Sequence, residues 1–211
     1  MDLPAGSGEP KITGVERTVF FSDAVVAIAI TLLALDLHVP EVGSNAEFWR
    51  DMNQHLDDYI GFLVSFAVIG GHWLNHHQVF GHVARLTSGL ARWNMLWLLM
   101  IVVTPFATRV IVGDGAFGAR FTLYALVQAL SSIFFILALY EIVRHHLVRT
   151  GTPRTVFVRV YQRAFTVAVL FLVSIPLAFL THWAYACWVA IPVVIRLEGP
   201  IAAWWRRRAR S

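Results

Sequence analysis

Nine histidines, an aspartate set in an apolar run and a short list of other polar groups are the residues of this chain with chemistry to offer. His72 and His76 stand at i, i+4, the spacing that puts two ring nitrogens on one helix face and supplies half of a zinc site. No Asp, Glu or Cys close by in that segment adds a third ligand, so the sequence favours these rings as partners of other buried polar groups. Axial ligation of a haem by His72 or His76 with His182 is a second use of the same residues. It is awkward, because His182 falls near the opposite end of the helices. Asp23 is the third kind of group, a carboxylate inside an apolar stretch, where lipid tolerates charge only if something pairs or hydrates it. There is no glycine-rich phosphate loop, no Ser/His/Asp order and no zinc-protease helix signature, so no enzyme activity is expected. Cys187 is the single cysteine, which excludes an intrachain disulfide.

The elements that must position these groups are membrane helices. Hydrophobic residues make up 57% of the 211 and charged residues 14%, with a mean hydropathy of +0.63. A soluble domain rarely shows that balance. Apolar segments at 18–38, 58–80, 93–112, 117–143, 160–181 and 183–204 each approach the roughly 20 residues that cross the hydrocarbon core. An all-α polytopic protein of six transmembrane helices is expected, with residues 1–211 as one domain. Pro176, Pro192 and Pro200 can each kink or end a helix within the last two segments. The first segment carries Asp23 and Asp36 and lacks a cleavage pattern, which argues against a signal peptide.

Lysine and arginine accumulate in cytoplasmic loops. With a cytoplasmic N-terminus, 14 of the 17 basic residues fall inside and only Arg50, Arg109 and Arg120 outside, so both termini are expected in the cytoplasm. The run Trp204 to Arg210 then reads as an aromatic anchor and a polybasic tail for anionic lipid, rather than a nucleic-acid site.

At 100° per residue, Ile28, Leu32 and Leu35 form one stripe of the first helix, flanked by Thr31 and the small residues Ala24, Ala27 and Ala34. Asp23 lies about 140° away from Ile28, on the face with Val19, Val26, Ile30 and Leu33 that packs against other helices. Two readings of the stripe stay open on periodicity alone: ordinary apolar packing or lipid contact, and stacked rings that narrow a pore when copies surround an axis. On the second segment, Trp73 and His77 stand at the depth of Arg17, Ser22 and Asp23, and Asn94 enters from the same side. A supporting network linking these six side chains is expected to fix the angle of the first helix.

Arg17, Phe21, Ser22 and Asp23, followed by AIAITLLALDLHVP, closely resemble the signature helix of bacterial members of the transmembrane protein 175 family of lysosomal and endosomal potassium channels. Trp73 with His77, and Asn94 with Pro105 and Phe106, are similar to the family's pattern as well. The resemblance implies a homotetrameric cation channel in the bacterial inner membrane, selective for potassium over sodium, without a Thr-Val-Gly-Tyr-Gly filter. It implies that Ile28 is the hydrophobic constriction, Leu32 and Leu35 the next layers, and Thr31 a selectivity residue. Arg17, Phe21, Ser22 and Asp23 would be structural motif residues. It implies no cofactor beyond permeant potassium in the pore, with membrane lipid and further copies of the chain as partners. Asp36 at the outer end of the first helix stands where a ring of carboxylates would concentrate cations, or equally as a solvated loop charge. A coupled cation/proton transporter is the remaining alternative, and it lacks titratable groups between Ile28 and Leu35.

Overall fold

The computed structural model describes residues 12–196 and is helical throughout. Lys11, Pro200 and the Trp204 to Arg210 tail lie outside the described residues. Helix α1 (Gly14–Leu35) is opened by a capping box: the Thr13 hydroxyl accepts from the Glu16 amide while the Glu16 carboxylate accepts from the Thr13 amide at 2.8 Å. A short helix, α2 (Asn45–Gln54), follows with Ser44 as its N-cap. The long helices α3 (Leu56–Phe80), α4 (Ser88–Val112), α5 (Phe117–Arg144) and α6 (Arg154–Ala178) then run back and forth. A 3-10 turn leads into α7 (Trp183–Arg196).

Four of these helices, α1, α4, α5 and α6, are long and apolar enough to cross a membrane. Helix α3 has the length, but Asp57 and Asp58 at one end and the polar run from His72 to His77 at the other dilute its apolar centre. The described part of α7 is shorter than a span. The connection between the first two apolar segments, 39–57, holds α2. Helix α6 begins at Arg154, six residues before the expected start, because Pro153 fixes the backbone just ahead of it and the polar residues that hydropathy discounts continue the helix.

Helix α5 packs between α4 and α6 and is the most buried of the apolar spans. Helix α4 also holds α1 and α3. The core collects Ile69, Phe80, Leu90, Trp97, Ile101 and Ile142 toward one end and Phe121, Tyr124 and Phe171 toward the other. Two interhelix loops meet at the first end, where the Ala84 amide donates to the Leu147 carbonyl at 2.7 Å and the Arg149 amide to the His82 carbonyl at 2.9 Å. The helix order places Arg17, Arg85, Arg92, Arg144, Arg149 and Arg154 at that end and Asp36, Glu41, Glu47, Asp51, Asp57, Asp58 and Asp114 at the other. The charges of the two ends thus have opposite sign.

Candidate functional site

Helix α1 sits at the margin of this arrangement, bound to α3 and α4 on one side. Val15, Ser22, Val26, Ala29 and Leu33 recur at helical spacing and are buried against those helices. The opposite face carries Ile28, Leu32 and Leu35, which are 60%, 40% and 79% exposed. Phe21, Ala24, Ala27, Thr31 and Ala34 are exposed as well. An apolar face this continuous has no business in water, so lipid or other protein covers it. The Thr31 hydroxyl donates to the Ile28 carbonyl at 2.8 Å, which satisfies its proton and leaves its oxygen lone pairs turned outward.

Two sets of hydrogen bonds fix the rotation of α1. Trp73 donates its indole N–H to Asp23 Oδ1 at 2.8 Å. Asn94 donates to Ser22 Oγ at 3.0 Å, and Ser22 in turn donates to the Thr18 carbonyl at 2.8 Å. Asn94 Oδ1 meets His76 Nε2 at 2.9 Å, so one amide side chain bridges α1, α3 and α4. It is His76, and not the expected His77, that makes this hydrogen bond with Asn94. The buried row of α3 runs Ser65, Ile69, His72, His76, Val79 at steps of three or four, and His77 is one residue, about 100°, off that row. His77 is exposed and packs its ring beside Trp73, 5.4 Å between centroids. Arg17 is exposed and, among the described residues, bonds to none of this set.

His76 is further held between Phe80 and Trp97, with ring centroids 4.0 and 4.6 Å away and planes within 17° and 7°. His72 is buried and faces Gln128. His76 thus meets Asn94 through Nε2 and two aromatic faces through its ring, while His72 faces Gln128. Sequence reasoning also missed a polar layer nearer the acidic end, where Thr108 donates to Ser65 at 2.7 Å, Ser65 meets the Tyr124 hydroxyl at 3.1 Å and Gln128 donates to Thr104 at 3.3 Å. Single Ser and Thr residues in apolar helices give no advance sign of which ones will meet.

Asp36 caps the end of α1 and pairs with Arg109 of α4 at 3.3 Å. His38, two residues on, approaches Asp51 of α2 with Nε2 to Oδ2 at 2.7 Å, and its ring stacks on His55, 3.6 Å between centroids. This tie of α1 to α2 was not foreseen from the sequence.

An all-helical membrane bundle with an unshared apolar helix at its edge and polar clasps behind it defines the class. Residues 17–105 match the family described as the endosomal/lysosomal potassium channel TMEM175. A potassium channel of Streptomyces collinus is 37% identical over 64% of this chain and 65% of its own length. A potassium channel of Chamaesiphon minutus is 38% identical over 47% of this chain and 50% of its own length. The matched region therefore spans between half and two thirds of these curated relatives. The crystal structure of a lysosomal potassium-selective channel TMEM175 homolog from Chamaesiphon minutus superposes with a TM-score of 0.71 at 27% identity, covering 87% of this chain and 97% of that one. The MtTMEM175 potassium channel shares the fold, with a TM-score of 0.61 at 17% identity. Over residues 17–105 the chain is thus similar to the TMEM175 family, and its fold follows that of the Chamaesiphon minutus homolog along most of its length.

Proposed function

We propose that this chain is a potassium channel in which copies of α1 surround a common axis and their apolar faces form the conduction path. The observation that carries the reading is the uncovered face of α1, which lies inside the segment matched to the family and bears no charge from Ile28 to Leu35. Ile28 forms the constriction, with Leu32 and Leu35 as successive apolar layers, and Thr31 supplies hydroxyl oxygens beside them. Four copies assemble, each contributing one six-helix domain, α1 and α3–α7. The arginine-rich end faces the cytoplasm of a bacterial cell, with both termini inside. Lipid surrounds the tetramer, and permeant potassium occupies its pore.

An apolar neck offers no oxygen to replace a hydration shell, so discrimination comes from the lower cost of stripping water from potassium than from sodium. Selectivity is accordingly modest. Asp36 stands near the mouth at the acidic end, and Arg109 offsets part of its charge. The arrangement favours a channel over a coupled transporter, which needs titratable groups in the path. Flux from purified protein in liposomes tests this directly. Potassium, caesium and sodium should each pass down their own gradients, sodium slowest, with no requirement for a countergradient of protons. Flux that occurs only when a proton gradient opposes it overturns the channel reading in favour of a transporter.

A further inference from the structure

Among the described residues, His38, Asp51 and His55 are the set of three metal-ligating side chains whose donor atoms come together, all within 4.8 Å of one another. They come from three different local structures. His38 follows the end of α1, Asp51 lies in α2, and His55 is the joint at which α2 ends and α3 begins. We propose that these three residues form a binding site for a divalent first-row transition metal of the zinc type, separate from the α1 face.

The geometry is that of a site a small rotation away from ligation. Zinc holds imidazole nitrogen and carboxylate oxygen at about 2.0–2.1 Å, which puts the ligands of a tetrahedral site roughly 3.3 Å apart. Here Asp51 Oδ2 is 2.7 Å from His38 Nε2 and 3.9 Å from His55 Nδ1, so the two distances straddle that value. The two rings stack with centroids 3.6 Å apart and planes 16° apart, and His55 Nδ1 lies 3.1 Å from the Asp51 carbonyl, so one ring must turn out of the stack for both lone pairs to meet one ion. The backbone behind His38 is fixed, because the Tyr59 hydroxyl donates to the His38 carbonyl at 2.7 Å.

Two imidazoles and one carboxylate suit zinc, nickel or copper and not calcium or magnesium, which require more oxygen ligands. The side chains are 35%, 22% and 35% exposed at the acidic end of the bundle, which gives an ion access from water and leaves a coordination position for solvent. Nearby acidic residues Glu41 and Glu47 favour arrival of a cation. A bound metal would clamp the tail of α1 onto the α2–α3 joint, and it does so whether or not the chain conducts.

The test is titration of the purified full chain in detergent with Zn2+, read by competition against a chromogenic chelator. One Zn2+ per chain is expected, with Co2+ giving the visible absorption of a low-coordinate site. His38→Gln and His55→Gln should each weaken Zn2+ binding by about tenfold or more. His145→Gln, at a similarly exposed His and Glu pair, should leave it unchanged. The parent chain gives a reading free of folding effects: Zn2+ should protect His38 and His55 from diethylpyrocarbonate. Equal modification of both rings with and without Zn2+, or parental Zn2+ affinity in both histidine variants eluting as the parent does, overturns the site.

Discussion

Ile28 and Asp23 are five residues apart on one helix and do opposite work. Asp23 accepts the Trp73 indole proton inside the bundle, while Ile28 projects from the free side. A half-buried, hydrogen-bonded carboxylate and an outward aliphatic chain fix the helix in one rotational state, since a turn of 140° would bury the apolar stripe and strand the charge in lipid. On the channel reading, the barrier at Ile28 is dewetting, and an amide there would hold water through its two donors and its carbonyl. Ile28→Asn should therefore raise ion flux and lower the potassium over sodium preference, measured in liposomes. An Asn variant with parental flux and selectivity removes Ile28 from the constriction.

At the scale of elements, α1 rests on α3 and α4, and Asn94 of α4 hydrogen-bonds to α1 and α3 at once. Asn94→Ala leaves Ser22 and His76 without that partner in a dry place, a loss of about 1–3 kcal/mol. The variant should melt at lower temperature in detergent, with fluorescence of the nearby Trp97 reporting the change. Unaltered thermal stability would show that the clasp is idle. The sequence disclosed this part of the design in outline, because Ser22, Asp23, Trp73 and Asn94 are costly in an apolar setting and stand at matching depth. It did not disclose His76 over His77, which depends on the phase of the buried row of α3 and so on which neighbours α3 meets. Helix α2 escaped hydropathy altogether: it buries no residue and is held by capping and by His38 rather than by a core.

At the scale of the whole molecule, the all-helical character was legible because the apolar runs are close to a bilayer in length, and four of the described helices keep that length and apolarity. The cover on the free face of α1 was not legible, since nothing in one chain states what neighbouring copies do. The central claim, that this face lines a shared aqueous path, is tested by thiol accessibility. In a Cys187→Ser background, Ile28→Cys should lose ion flux within minutes of adding a charged methanethiosulfonate reagent, and Leu172→Cys, an exposed position on α6, should keep it. Loss of flux at Ile28→Cys with none at Leu172→Cys is the predicted result; a fully conducting Ile28→Cys protein that the reagent leaves unaltered contradicts the account.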